Sequence, residues 1–558
     1  MKILCYLIFS FATILQLNGQ TLPLGAPVLE NYFRNSQLLS KFDSSFSFNY
    51  RPLNIGQTGI KISNENFDPS TYFSSSISFL NEKGIFKVLP MELRFNFDSH
   101  HPESRNNGAM IRSRGAQTLI SAGIYAELGP LSVQLKPEFV FAENRNYDGF
   151  AESHYDIIWA KRYLWWNHLD EPERYGNNNY TKILPGQSSI RLNKWGLSLG
   201  ISTENIWWGP GIRNSIMMSN NAQGFEHITF NTTRPIQTKI GNFEWQIVTG
   251  KLESSGFTPP DTSRTFAGTK MYRPKNDDWR YYQGFSFTYS PKWIKGLSIG
   301  ATRWVQAYSE FIKETNDYFP AFSSMFRKDD DSFTNEIQRD QAAAIFFRWL
   351  WLDGKAEIYM EFGRNDASFN FRDLILNADH SRATTLGFLK LFDTRKKNQY
   401  IQVNWEWTQM EQTAGRLLRN AAAWYLHSRV RHGYTHNGEV IGASIGPGSN
   451  SHYLSVAWIK DQKRIGGAIE RIAHDNDWFH QAFEDSKDWR RYWVDYNVHG
   501  FIDWNFDNFL LSANVIYSRS LNYQWELDWD PSLPYYVAGT DVGNLHLEFK
   551  IAYPLNFN

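Results

Sequence analysis

Ile401-Gln402-Val403-Asn404-Trp405-Glu406-Trp407 places Ile401, Val403, Trp405 and Trp407 on one side of an extended chain and Gln402, Asn404 and Glu406 on the other. Successive side chains of a strand point to opposite faces, so this stretch reads as a strand with one oily and one polar face. The same period recurs in both directions. Phe285, Phe287 and Tyr289 alternate with Ser286, Thr288 and Ser290, and Leu297, Ile299 and Ala301 with Ser298, Gly300 and Thr302. Leu511, Ala513, Val515 and Tyr517 alternate with Ser512 and Asn514. Tyr523, Trp525, Leu527 and Trp529, interleaved with Gln524, Glu526 and Asp528, read as one more strand. The chain ends on a similar run from Leu545 through Leu547, Phe549, Ile551 and Tyr553, with Phe557 beside the terminal Asn558.

Two all-β architectures produce such strands. A soluble propeller or solenoid would repeat a motif at a fixed period, and none is present. A membrane barrel turns the oily face to lipid and the polar face to the lumen, in strands of about 9–11 residues with aromatic girdles at both interfaces. Composition agrees with the second: 41 Phe, 28 Tyr and 22 Trp accompany a mean hydropathy of −0.48. Only alternate residues meet lipid, which keeps the mean low. The expected fold is therefore an all-β transmembrane antiparallel barrel in outer-membrane lipid. Trp195, Trp293, Trp304, Trp405, Trp407, Tyr523, Trp525 and Trp529 are the expected girdle residues. The final strand is of the kind the barrel assembly machinery recognises, although the usual last residue is the aromatic itself.

The N-terminus has a short positive start, Met1-Lys2, an apolar run from Ile3 to Leu17, and Asn18-Gly19-Gln20. This pattern reads as a secretory signal over residues 1–19, too short for the ~20 apolar residues of a spanning helix. Cys5, the one cysteine, sits early in the run rather than at its end, so lipidation is not expected, and the exported chain has no thiol chemistry. Residues 20–44 form an expected periplasmic helical segment, with Val28 to Phe42 amphipathic, and 45–558 the barrel. Equal numbers of basic and acidic residues, 57 each, give no footprint for nucleic acid. Charged irregular stretches from Asp98 to Arg114, Asn144 to Gly149, Pro259 to Asp278, Tyr308 to Asp340 and Asp475 to Arg491 read as the longer loops.

Several motifs touch on chemistry. Gly442-Ala-Ser444-Ile-Gly446 matches a nucleophile elbow, but Pro447, Gly448, Ser449 and Asn450 cannot begin the helix that motif requires, so a glycine-rich turn is expected. His432 and His436 are four apart without the Glu and third ligand of a zinc helix. Asp329-Asp330-Asp331 and Asp475-Asn476-Asp477 lack the glycine and closing Glu of a calcium loop. No phosphate or dinucleotide fingerprint occurs, and no cofactor or catalytic residue is expected. Two aromatic–polar clusters carry more. Rings cover the C–H faces of sugars while Asn, Glu and Arg pair with hydroxyls. Glu204, Asn205, Trp207 and Trp208 beside Gly209-Pro210-Gly211, and Trp165 and Trp166 beside Asn167-His168, are the candidate carbohydrate contacts. The same residues would also suit an interface girdle or a structural corner.

The run from Glu204 to Gly211, followed by Met218-Ser-Asn-Asn-Ala222 and Gly224-Phe225, is similar to the signature region of the capsule-assembly Wzi family. Gly241-Asn-Phe-Glu244, Gly250-Lys-Leu-Glu253, Gly433-Tyr-Thr-His-Asn-Gly438 and Val440 to Asn450 fit that family too, and Ser45 to Pro52 resembles the segment that opens its barrels. The aromatic-rich style and long acidic loops resemble the branch found in Bacteroidetes-like bacteria. The resemblance implies an 18-stranded outer-membrane barrel with a periplasmic helical element and an occluded lumen. It also implies a lectin-like role, holding capsular polysaccharide or exopolysaccharide at the cell surface. A substrate-selective porin or transporter is the alternative, and an outer-membrane hydrolase a third reading.

Overall fold

The computed structural model describes residues 21–555 except 23, 55–75, 82, 104, 323–338, 366–369, 413–422, 487, 507 and 528–538. The expected signal segment, Asp329-Asp330-Asp331, Trp529 and the terminal Phe557-Asn558 lie outside the described residues. One antiparallel sheet of 22 strands dominates, and its last strand, Val542–Tyr553, pairs with Gly84–Asp98 to close a cylinder. Leu131–Leu135 with Glu138–Ala142, Tyr180–Leu184 with Ser189–Lys194, and His227–Thr232 with Ile236–Gln237 are each one interrupted stave. Ser76–Phe79 pairs with the start of the first stave, beyond the reach of Val542–Tyr553 on that strand. The wall thus has 18 staves. No described helix is long and apolar enough to cross a membrane; the crossing is made by strands.

The connections are strongly unequal. At one end, turns are short, such as 195–196 and 461–462; at the other, segments such as 143–179, 203–226 and 410–449 join the staves. Outer-membrane barrels keep short turns at the periplasmic end and long loops outside. Strand parity runs as the sequence requires. In Tyr400–Gln409, Gln402, Asn404, Glu406 and Thr408 are buried in the lumen while Ile401, Val403, Trp405 and Trp407 face outward. In Arg339–Trp351, Ile345 and Trp349 face out while Phe346 and Arg348 are buried. Trp195 and Trp293 stand exposed on short turns, as a girdle needs.

Three expected girdle residues are inside instead. Trp304 has the parity of Ser298 and Thr302, the inward face, and its ring stacks on Tyr434 at 3.9 Å. Tyr523 and Trp525 do not belong to a strand. They lie in the 3-10 turn Tyr523–Trp525, where Asn522, Gln524 and Trp525 take positive φ and both parities are buried. Alternation of residue type does not make a strand where the backbone cannot stay extended.

The helical expectation holds with a shorter extent, Pro27–Leu38. Pro27 suits the first helical turn, and Glu30 reaches back to accept the Gly25 N–H at 2.8 Å. The helix sits within the lumen at the short-turn end. Val28, Leu29 and Phe33 pack on Phe42, Phe46 and Phe48, and Leu38 packs on wall residues Leu389 and Ile459. Its Arg34 and the wall's Arg348 share the buried Glu357 at 2.6 and 2.5 Å.

Candidate functional site

The long connections turn back into the lumen. Segment 203–226 descends through it, and buried wall groups receive its backbone. Glu361 accepts the N–H groups of Gly211 at 3.0 Å and Ile216 at 2.9 Å. Glu406 accepts those of Ile212 at 2.8 Å, Arg213 at 3.1 Å and Asn214 at 2.8 Å, together with the Tyr359 hydroxyl at 2.7 Å. Gly209 has φ +113°, and a side chain there would strike the Glu361 carboxylate. The polar inner face of the barrel is thus spent on a folded turn rather than on bulk water.

A second segment, 423–449, locks against the first. Ser219 N–H donates to the Ile441 carbonyl at 2.8 Å, and the amide of Asn221 to the Val440 carbonyl at 2.9 Å. The hydroxyls of Tyr425 and Tyr434 donate to the carbonyls of Ile216 and Met217 at 2.8 and 2.7 Å. Helices Asp156–Trp166 and Asn476–Phe483 add Trp159, Trp166, Trp478 and Phe479 to the same apolar cluster.

These contacts decide where the candidate sugar-binding residues stand. Glu204 is buried and ion-paired with Arg191 at 2.7 Å, with further donors from Thr21, Gln134 and Ser202. Burial would raise its carboxyl, but Arg191 and these donors hold it below the usual range. Asn205 bonds Gln187 and the Ala222 carbonyl. Trp208 is 1% exposed, pairs in register with Tyr50, and donates its indole N–H to Gln246 at 2.8 Å. Trp207 lies under the Arg51 guanidinium at 4.2 Å and borders a cavity of about 240 Å³ facing staves toward the short-turn end. Glu204, Asn205 and Trp208 are thus engaged by protein groups, whereas Nε1 of Trp207 is buried without a partner among the described residues. Trp165 and Trp166 instead border a separate cavity of about 190 Å³ among the long loops.

That outer cavity gathers residues from five connections. Trp493 and Trp525 cross edge to face at 5.0 Å, and Trp493 and Tyr523 at 5.2 Å. The Arg162 guanidinium lies 4.9 Å from the Trp166 ring centre. Glu171, Glu173 and Asp475 supply carboxylates, and Arg112 is paired with Glu171 and Glu439. Several lining residues carry buried polar atoms with no partner among the described residues: Nε1 of Trp165 and Trp525, Nε of Arg162, Oε1 of Gln524 and Nε2 of His101. Burial pushes the Glu103 carboxyl up to about 7 against the pull of Arg105, and pushes His101 down to about 4. Tyr523, Trp525 and Trp493 escaped the sequence reading of the site. The first two alternate with polar residues and so read as strand, and none has a local motif.

The catalytic-looking motifs dissolve. Ser444 shares its hydroxyl with Asn214 and Asn106, in a turn. His432 bonds the Tyr308 hydroxyl at 2.9 Å, whereas His436 accepts the Glu253 N–H at 3.0 Å. Asp475 caps the N-terminus of its helix by accepting the Trp478 N–H at 3.1 Å.

A family model described as capsule assembly protein Wzi matches residues 99–515. The chain belongs to this family. Wzi of Escherichia coli, described as an outer-membrane protein involved in group 1 capsule assembly and a carbohydrate-binding β-barrel, has a similar structure. Its TM-score is 0.58 at 12% identity, over 94% of this chain and 98% of that one. OccK8 (OprE) of Pseudomonas aeruginosa and OccAB3 of Acinetobacter baumannii are similar at TM-score 0.39 and 8% identity. They cover 86% and 84% of this chain and 99% of their own. No curated protein matches. The stretches that carry the Wzi resemblance, around Glu204–Phe225 and Gly433–Asn450, are the two that interlock inside the lumen. Together these two segments form a plug in the lumen.

Proposed function

We propose that this Wzi-family barrel binds polysaccharide and retains capsular polysaccharide or exopolysaccharide at the cell surface, with the outer cavity as its glycan site. One observation carries the reading. The aromatic walls of the cavity coincide with buried polar atoms that have no partner among the described residues, on Trp165, Trp525, Arg162 and Gln524. Buried donors and acceptors are normally satisfied, and sugar hydroxyls beside stacked rings would satisfy these. At about 190 Å³ the cavity is smaller than the ~300–1,000 Å³ of pockets that enclose a drug-sized ligand. It suits one sugar unit or a branch end rather than a length of chain. Firm retention then comes from many weak contacts between one polymer and many barrels. Equal numbers of acidic and basic residues give no net field for a polyanion, so recognition is local.

The porin alternative requires an open passage, and the interlocked segments 203–226 and 423–449 packed inside the lumen weigh against one. Trp207 and Trp208 serve this function as structural supports, while Trp165 and Trp166 are the proposed contacts. The test is binding of the producing cell's own polysaccharide to purified protein, by calorimetry or biolayer interferometry. Trp165→Phe keeps a ring and loses the indole N–H, and Trp165→Ala loses both. Graded loss, with unchanged heat-modifiability of the barrel, supports the site. Equal binding by all three proteins defeats it.

A further inference from the structure

His101, Glu103 and Asp495 meet at the floor of the outer cavity. One nitrogen or oxygen from each lies within 4.8 Å of the other two, and all three residues are buried. His101 and Glu103 come from the connection after the first stave, and Asp495 from the mouth of a stave almost four hundred residues later. Nothing local in the chain brings them together; the closed barrel does.

The bonding around them is lopsided. Nδ1 of His101 is 3.1 Å from Nδ1 of His100, while Nε2 has no hydrogen-bond partner among the described residues although the residue is only 3% exposed. The Asp495 carboxylate accepts the Trp493 indole N–H at 2.9 Å and pairs with His474 at 2.6 Å. Glu103 takes Arg105 at 2.5 Å and the Asn497 amide at 3.3 Å, both on Oε1. Each side chain is therefore held in place by outer partners. Toward one another they present two carboxylates and an imidazole nitrogen, with no hydrogen bond joining the three among the described residues. A buried imidazole nitrogen left without a partner is costly, and a cation bound between it and the two carboxylates would remove that cost.

We propose that His101, Glu103 and Asp495 hold a divalent transition-metal ion of the zinc class, with a remaining coordination position turned to the outer cavity. A mixed nitrogen and oxygen set fits zinc or manganese; calcium and magnesium sites are built from oxygen alone. Bonds of about 2.0–2.2 Å put tetrahedral donors roughly 3.4 Å apart, so from separations within 4.8 Å the donor atoms need close by at most about 1.4 Å. His100, His474 and Trp493 then act as the outer partners that fix ring and carboxylate orientation. Deepening the glycan reading, on which this last step rests, the open position is where a sugar hydroxyl or carboxylate oxygen would bind.

The test uses full-length protein in detergent, stripped with EDTA and desalted. Zn²⁺ is titrated by calorimetry, and bound metal is counted by plasma mass spectrometry after gel filtration. One ion per chain is expected, with affinity at least tenfold lower in His101→Phe, which keeps a ring against Tyr523, and in Asp495→Asn. Co²⁺ loading should give the visible absorption of a low-coordinate site in the wild type and lose it in both variants. Absence of saturable uptake by the folded wild type overturns the proposal even if a variant misfolds, and so does equal uptake by folded variants. Polysaccharide binding measured in parallel, with and without EDTA, separates the two readings. Glycan binding without ion uptake overturns the metal site alone. Ion uptake without glycan binding sustains the metal site and overturns the glycan reading.

Discussion

Replacing Glu406 by Leu should loosen the plug, and the structure gives the size of the effect. The carboxylate receives three backbone N–H groups at 2.8–3.1 Å and the Tyr359 hydroxyl at 2.7 Å. Asn214 and Tyr359 are 2% and 0% exposed, so water cannot replace the lost acceptor for them. Ile212 and Arg213 are only half-buried and recover part of their bonding from water. A buried donor left without a partner costs about 1–3 kcal/mol. Two such donors in full and two in part give a loss of about 3–5 kcal/mol. Each 1.4 kcal/mol is tenfold in rate, so the barrel should lose its folded gel mobility in SDS roughly a hundredfold faster or more at fixed temperature. Glu406→Gln retains one acceptor oxygen and should fall between. Thr408→Ala, on the same inward face, removes only the hydroxyl's longer contacts with Asn214 and Thr385 at 3.3 Å and should have a smaller effect than either. A Glu406→Leu protein that unfolds at the wild-type rate would refute the claim that this wall carboxylate holds the plug.

Ile345→Lys places a charge on an outward position that is 63% exposed to lipid; it should destabilise by about 2–4 kcal/mol if the residue sits near the bilayer midplane, read by denaturant unfolding in lipid vesicles. Gly209→Ala meets both a positive φ and the Glu361 carboxylate at 2.3 Å, so folded yield should drop, with strain of about 1–3 kcal/mol. Asp475 is buried beside Asp477, which raises its carboxyl well above the usual range. Below about pH 4 the group is protonated in folded and unfolded chains alike and costs nothing; as pH rises the unfolded chain ionises and the folded one resists, so stability falls. Asp475→Asn keeps the helix cap and should therefore add on the order of 1 kcal/mol at pH 8 and almost nothing at pH 4. A pH-independent gain would contradict that cause.

The barrel wall was legible because a stave is a local object. Parity alone put Ile401 toward lipid and Glu406 inside, and the parity of Ser298 and Thr302 already placed Trp304 on the inner face. Residue type misled where parity was ignored, as for Trp304, or where the backbone turns, as at Asn522 and Gln524. The plug was legible only as a resemblance. Glu204 to Gly211 and Gly433 to Asn450 contain no period, and their meaning lies in contacts such as Tyr434 on Met217, more than two hundred residues apart. The outer cavity was half legible. Trp165 and Trp166 stood out by type, but the parity and spacing of a loop carry no information about its neighbours. Trp493, Tyr523 and Trp525 become partners only once the cylinder closes.

The most direct test of polymer retention is the partition of polysaccharide between cells and medium. Three strains are compared: wild type, a deletion, and the deletion carrying Trp165→Ala at wild-type surface levels. Total polymer should be equal in all three. Cell-bound polymer should fall in the deletion, with the missing share recovered in the medium, and the Trp165→Ala strain should lie toward the deletion. An unchanged partition in the deletion strain, with normal total polymer, would contradict the proposed function outright.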